Sequence, residues 1–388
     1  SLVLARRCVL KKADFNMCEL VREFQPDWPT NTAVKEHIFF FKSTIWPLTK
    51  KITSQTSTIC NTNNVQCIGR TIQIMLSKFL GDHQSYCAVY TLQMLSFMMI
   101  APSIQQQKCN AWLRKHLPSD GSVVISDVTS MYTAICLMGP KARNVLSELT
   151  DIDLSTKAFP FFSFKELDVG LANGIRAMNL THTGELGWVL YIPNEYALHV
   201  YNNLVSAGYK WGMTHAGYYA MRALRIEKFY AFWGQDLDSS TTPLECGRGF
   251  RVKFNKDIDF IGRSALEEQK ASGVRRLYVH LLLDDHNPEV DCWAWGGEPI
   301  YRNDKFVGRV TTTAFGYTLN NLVCLGFVLN FDSAGNKDLV SPEYIMEGDY
   351  EVDIAGIRYS ASISLRSPSL PTKFPEPQMG RYQATQII

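Results

Sequence analysis

The sequence predicts an α+β chain of two domains, a larger mixed domain followed by a small antiparallel β-barrel. Three observations carry that expectation. The 388 residues exceed what one ordinary core organises and suit two interiors. Hydrophobic residues make up 46% and aromatics 12% of the chain, the composition of a globular fold. After Gly273 the apolar period changes from a mixture of helical and strand spacings to the alternation of short strands. The expected boundaries are an N-terminal remnant or linker at 1–30, the larger domain at 31–272, the barrel at 273–370 and a tail at 371–388.

The first thirty residues carry mixed charge and end in Gln25-Pro26-Asp27-Trp28-Pro29, a punctuated connector. Their basic, apolar start is compatible with a transit segment or with a fragment of something longer. Short apolar runs follow at Ile38–Phe41 and Ala88–Tyr90. Asn110–His116 reads as a helix stopped by Pro118, and Asp127–Met138 as a strand. Gly139-Pro140 opens a helix through Leu149, with proline in the first turn where its missing N–H costs nothing. Strands are expected at Val169-Gly170, Gly174–Leu180 and Trp188–Ile192. The helix Glu195–Ala207 buries Tyr196, Val200 and Leu204 on one face. Ala216–Phe229 is the best helix, with an inward stripe through Ala216, Ala220, Ala223, Leu224 and Glu227. Phe250-Arg251-Val252 reads as a strand. A charged linker helix, Arg263–Ala271, ends at Gly273. The barrel strands are Arg276–Leu283, Pro299–Tyr301 paired with Lys305–Val310, Val323–Leu329, and a hairpin of Tyr350–Ile354 with Ile357–Ile363 around Ala355-Gly356.

Charge and motifs narrow the function. Net charge is +2, and no basic stripe interleaved with aromatics offers nucleic acid a footing. The longest apolar stretch, Tyr90–Ile104, is broken by Gln93, Ser96 and Pro102; it falls short of the roughly 20 residues a membrane span needs, so a buried strand is expected. Ten cysteines are scattered without a Cys-x-x-Cys pair, as in reduced proteins of the cytosol or the mitochondrial matrix. There is no dinucleotide fingerprint, phosphate loop, zincin motif or nucleophile elbow. His286 stands beside Asp284 and Asp285, and an exposed acidic turn explains that cluster better than a metal site. No catalytic or metal-ligating residue is assigned.

Glu227 is out of place on physical grounds. It sits on the inward face and near the C-terminal end of its helix, disfavoured both by desolvation and by the negative end of the helix dipole. Two explanations stand open. A basic neighbour such as Arg251 or Lys253 pairs with it, or it anchors a ligand through two parallel hydrogen bonds, as a carboxylate does with an amidine-like edge. The 2-amino-pyrimidinone edge of a pterin is such an edge, and Trp188 and Tyr191 on a nearby strand are available to line its pocket.

The runs Leu224-Arg225-Ile226-Glu227-Lys228, Trp233-Gly234-Gln235-Asp236-Leu237 and Thr242–Gly247 resemble the folate-binding domain of the glycine-cleavage T-protein (aminomethyltransferase) family. Thr183-Gly184-Glu185-Leu186-Gly187-Trp188 and the linker signature Asp259–Leu266 are similar to it too. Gly297-Glu298-Pro299-Ile300, Val307–Thr311 and Leu325-Gly326-Phe327-Val328 resemble its C-terminal barrel. The resemblance implies a T-protein-like folate fold, tetrahydrofolate as ligand and Glu227 as its pterin anchor. Met98–Ser103 leading to Trp112–His116, Glu227–Asp236 and Gly297–Asn303 resemble the branch of the family that regulates pyruvate dehydrogenase phosphatase. That likeness implies a non-catalytic role in the mitochondrial matrix, with the phosphatase's catalytic subunit as partner and its magnesium sensitivity as the quantity tuned. The alternative is the folate-accepting C-terminal part of a dimethylglycine or sarcosine dehydrogenase-like oxidative demethylase; FAD enters only with a flavin domain ahead of Ser1. Where the family has a Gly-Gly loop followed by an acid, this sequence reads Gly81-Asp82-His83-Gln84-Ser85-Tyr86-Cys87, with Tyr86 about where the acid would stand.

Overall fold

A computed structural model describes residues 106–255, 260 and 262–370 in full, the strand segments 2–7, 36–43, 71–76, 85–93 and 96–102 by their backbone, and the side chains of 98–100. The connector Gln25–Pro29, the Gly81–Gln84 stretch with Asp82, the Tyr86 side chain, Asp259 and Ile261 of the linker signature and residues 371–388 lie outside the described residues. The chain forms two compact units, one from Ser1–Leu76, Ser85–Thr181 and Glu185–Tyr219, the other from Ser77–Gln84, His182–Gly184 and Ala220–Ile388.

In the first unit the strands are β1 (Leu2–Arg7), β2 (Glu36–Ser43), β3 (Thr71–Leu76), β4 (Ser85–Gln93), β5 (Ser96–Pro102), β6 (Val123–Asp127), β7 (Tyr132–Met138), β8 (Phe164–Val169), β9 (Ala172–Asn179), β10 (Gly187–Pro193) and β11 (Met213–His215). Its helices are α1 (Gln106–Lys115), α2 (Ala142–Ser147) and α3 (Ala197–Tyr209). Six strands form a sheet in the order β11-β1-β7-β10-β9-β8, and five form another in the order β3-β4-β5-β2-β6. The stretch read as one strand over Asp127–Met138 is two, since a 3-10 turn at Thr129–Met131 separates β6 from β7 and the two strands enter different sheets.

β7 and β10 lie side by side, Trp188 opposite Leu137. Apart from Thr133 both are apolar, because both faces are covered. On one face Ile135, Leu137, Trp188, Leu190 and Ile192 pack under Ala142, Val145 and Leu146 of α2 and Val200 and Leu204 of α3. On the other, Ala134, Cys136, Met138, Val189 and Tyr191 meet Met98 and Ile100 of β5. Val200 and Leu204 are buried as helical spacing predicts, while Tyr196 lies half-buried in the 3-10 turn ahead of α3.

Helix α4 (Tyr218–Glu227) leads into the second unit, which adds α5 (Arg263–Ser272), β12 (Arg276–Leu283), β13 (Pro299–Arg302), β14 (Lys305–Gly316), β15 (Asn321–Phe331), β16 (Lys337–Asp338), α6 (Pro342–Met346), β17 (Tyr350–Ile354) and β18 (Ile357–Ser364). The order β12-β18-β17-β13-β14-β15 closes through a β12–β15 pairing, so six strands make a closed antiparallel barrel. Leu277, Val279, Leu281, Ile300, Val310, Cys324, Val328 and Val352 fill it. Gly308 is where β14 and β15 come closest; a Cβ there would stand 2.0 Å from the Phe327 carbonyl oxygen. α6 starts as its sequence dictates, with the Ser341 hydroxyl accepting from Tyr344 N at 3.1 Å and proline in the first turn.

Phe250-Arg251-Val252 is not a strand. Gly249–Arg251 is a 3-10 turn, held by Arg251 N to Arg248 O and Val252 N to Gly249 O, and local i→i+3 bonds satisfy the backbone that a strand would need a neighbour to satisfy. The inward stripe of α4 also differs from expectation: Ala220 is exposed and Ala223 and Leu224 half-buried, while Met221, Arg222, Arg225, Ile226 and Glu227 are buried. Two arginines face inward because their charges and stems are fully engaged there. His286, expected in an exposed turn, is buried, with its Nε2 2.9 Å from the Cys292 carbonyl.

Candidate functional site

The site is built on the last turn of α4, where three ionisable residues in six positions turn inward. At its centre Arg225 Nη1 meets Asp236 Oδ2 at 2.7 Å, with side-chain exposures of only 4% and 0%. Asp236 Oδ2 also accepts from Phe232 N at 2.7 Å, and its Oδ1 from the Thr311 hydroxyl at 2.7 Å. Arg225 donates further to Tyr230 O and Gln235 Oε1. One turn earlier, Arg222 donates to the Thr312 hydroxyl and the Trp295 carbonyl and stacks its guanidinium over the Trp295 ring. Such a buried pair persists only when its spare donors and acceptors are satisfied, and here the barrel supplies them. A β-bulge between Val310 and Thr312 makes this geometry. In a regular strand Thr311 and Thr312 would point to opposite faces; the bulge aims both at the arginine–aspartate pair.

Glu227 ends the helix. Its Oε1 accepts from Thr318 N at 2.6 Å and Leu319 N at 2.8 Å, and its Oε2 from the Thr318 hydroxyl at 3.2 Å. These donors lie in the β14–β15 turn, and Gly316 lets the turn approach, since a Cβ there would touch Glu227 Cγ and Oε1 at 3.4 Å. Neither Arg251 nor Lys253 is its partner. The two amides replace the lost hydration and offset the helix dipole without a counter-charge.

Below Glu227 the chain turns sharply. Phe229 adopts a left-handed backbone with φ of 62°, an uncommon conformation for a bulky residue. Its ring lies flat on Tyr278, centroids 5.1 Å apart, and edge-on to His280. Burial pushes the His280 pKa down to about 4, against a hydrogen bond to the Glu227 backbone that works the other way. Burial, and next the charge of Asp236, raise the Tyr278 phenol well above the ordinary range. Near neutral pH both rings are therefore uncharged. Lys228 reaches Gly184 O at 3.2 Å.

Trp188 and Tyr191 both lie on β10, in the first unit, whereas Glu227 belongs to the second. Each of the pair enters a different core of the first unit. Three positions apart, they take opposite faces: Trp188 packs edge-on to Phe159 in the core beneath α2 and α3, and Tyr191 in the core between the two sheets. Sequence reasoning missed Arg222, Arg225, Asp236, Thr311 and Thr312. The two arginines one turn apart on a helix, and three consecutive threonines at 311–313, were the signal available.

A family profile for the GCVT N-terminal domain matches residues 56–256, and one for the glycine cleavage T-protein C-terminal barrel domain matches 275–368. The chain is 50% identical over 307 residues to the mitochondrial pyruvate dehydrogenase phosphatase regulatory subunit of Mus musculus, covering 79% of this chain and 35% of that protein. It is 34% identical over 291 residues to the mitochondrial dimethylglycine dehydrogenase of Homo sapiens, covering 74% of this chain and 31% of the relative. The chain thus spans about a third of the length of these two relatives. The glycine cleavage system aminomethyltransferase T structure from Bartonella henselae superposes with a TM-score of 0.69 at 17% identity, over 95% of this chain and 86% of that one, which shows a shared fold. With both of its domains matched in order, the chain belongs to the glycine-cleavage T-protein family.

Proposed function

We propose that this chain is a folate-type module retained as a non-catalytic regulatory unit, working in the mitochondrial matrix with the catalytic subunit of pyruvate dehydrogenase phosphatase and tuning its response to magnesium. The likeness to the mouse regulatory subunit supports the partner and the compartment. The geometric observation that carries the non-catalytic reading is the state of the Glu227 carboxylate. A pterin edge needs one acceptor from each carboxylate oxygen. Oε1 already holds two amides and Oε2 one hydroxyl, so of about four lone-pair sites one on Oε2 is open. Tetrahydrofolate fits this arrangement through one hydrogen bond; the second requires the 317–320 turn to release Oε1. One-carbon transfer also needs a positioned acid or base. His280, which bonds the Glu227 backbone, is too weak a base at neutral pH.

The likeness to dimethylglycine dehydrogenase favours a second reading, the folate-accepting part of an oxidative demethylase. One set of measurements separates the two. The purified chain is added to the phosphatase catalytic subunit while magnesium is varied, and is titrated separately with tetrahydrofolate by calorimetry. The regulatory reading expects a shifted magnesium dependence, weak folate binding lost in Glu227→Gln, and no methylenetetrahydrofolate from an aminomethyl donor. Turnover abolished by Glu227→Gln, with no effect on the phosphatase, would put the demethylase first.

A further inference from the structure

The β12–β13 connection of the barrel has a composition unlike the rest of the chain. Residues 284–298 read Asp-Asp-His-Asn-Pro-Glu-Val-Asp-Cys-Trp-Ala-Trp-Gly-Gly-Glu: five carboxylates, no lysine and no arginine, in a chain with 39 basic and 37 acidic residues. The same segment exposes three large apolar side chains, Val290 at 81%, Trp293 at 50% and Trp295 at 64%. Trp is among the residues that normally bury most of their surface, so two showing half or more within three positions need a reason.

Looseness is not the reason, because the segment is bonded throughout. Asn287 caps a tight turn: its carbonyl accepts from Val290 N and Asp291 N, its side chain from Glu289 N, and its own N–H donates to Asp291. Trp293 Nε1 donates to Pro288 O at 2.8 Å, and the His286 ring bonds the Cys292 carbonyl. Ala294, between the two tryptophans, is a plug at 1% exposure whose carbonyl accepts from the Thr313 hydroxyl. Burying Ala294 turns its neighbours on either side outward. Glu298 then closes the segment by accepting from Trp295 N and Gly296 N. Two of the five carboxylates, Asp291 and Glu298, are thereby committed to the segment's own backbone, while Asp284, Asp285 and Glu289 stay exposed in the same segment as the apolar side chains.

A well-bonded segment that exposes two tryptophans together with three carboxylates has the makings of a protein-docking surface: Trp anchors, steering charges, and little conformational entropy left to lose. We propose that the 284–298 loop docks a partner protein through an apolar cleft rimmed by lysine and arginine, with Trp293 and Val290 as anchors and Asp285 and Glu289 steering the approach. Charge complementarity sets the chemistry of the occupant, since three exposed carboxylates with no compensating cation in the segment repel an acidic surface and attract a basic one. Resting on the function proposed above, that partner is the phosphatase catalytic subunit.

The test measures binding of the full chain to the purified catalytic subunit by calorimetry and by stopped-flow association at several salt concentrations. Trp293→Ala is expected to weaken binding about thirtyfold or more, mainly through faster dissociation. A combined Asp285→Lys and Glu289→Lys variant is expected to slow association about tenfold and flatten its salt dependence. Leu171→Ser, at an equally exposed apolar position in the first unit, is the control and is expected to bind as the parent does; circular dichroism checks that each variant folds. Parent-like binding by both loop variants overturns the docking surface and leaves the regulatory function standing. No binding by the parent chain overturns both. A dimer of the chain that Trp293→Ala dissociates assigns the patch to a second copy and overturns the proposed partner.

Discussion

Removing Asp236 isolates the interaction at the centre of the site. In Asp236→Ala the Arg225 guanidinium, 4% exposed, keeps its charge and loses its counter-ion, and Phe232 N and the Thr311 hydroxyl lose their acceptor. Leaving one partner of a buried pair behind costs about 3–5 kcal/mol. With a urea slope of about 2 kcal/mol/M for a unit of this size, a loss of about 4 kcal/mol lowers the unfolding midpoint by about 2 M. Urea titration followed by circular dichroism reads this shift directly. The double replacement Arg225→Met with Asp236→Leu removes both charges and keeps apolar volume, so it is expected to recover at least about 2 kcal/mol relative to Asp236→Ala. A midpoint shift under about 0.5 M in the single variant refutes the reasoning. So does a double variant whose loss equals the sum of the two single losses, since a coupled pair is non-additive.

Three further outcomes are expected. The folded His280 has its pKa lowered from 6.5 to about 4, so its contribution is fully present above pH 6.5 and is lost as pH falls through 4. That is about 3 kcal/mol over the interval, and parent and His280→Phe should diverge by this amount between pH 7 and pH 4; parallel pH profiles would show that His280 is not the titrating group. Gly308→Ala places a Cβ 2.0 Å from the Phe327 carbonyl oxygen, so β14 and β15 must separate, at a cost of about 3 kcal/mol; an unchanged thermal midpoint contradicts the close approach. Limited proteolysis is expected to cut first between Gln269 and Arg275, the boundary read from the change in hydrophobic period, and uniform degradation without a resistant fragment counts against that boundary.

Much of the fold is legible in the sequence because it is local. The runs read at 276–283, 299–301, 305–310, 323–329, 350–354 and 357–363 all fall within barrel strands, and the apolar spacing of α3 gives the burial of Val200 and Leu204. The misread elements are those where a short signal has two solutions. Phe250-Arg251-Val252 has strand-like alternation, but Gly249 and Arg248 offer it turn bonds first. Asp127–Met138 reads as one strand, but Asp127 caps the turn that follows it through Thr129 N at 3.0 Å and splits the stretch.

The site divides along the same line. Sequence alone marks Glu227 as a carboxylate at the wrong end of a helix, and the motifs around it mark the family. Which groups satisfy that carboxylate is a tertiary decision, because Thr318 and Leu319 stand 91 and 92 residues away and reach it only once β14 and β15 have paired. The expected stripe of α4 runs through its alanines, yet Arg222 and Arg225 are buried beside Met221 and Ile226. Periodicity counts hydrophobicity, while a guanidinium enters a core when Asp236 from a later turn and threonines aimed by a β-bulge have already replaced its water. Helical and strand periods follow from backbone geometry that each residue carries with it; the desolvation of a charge depends on partners that only the closed barrel brings within 3 Å.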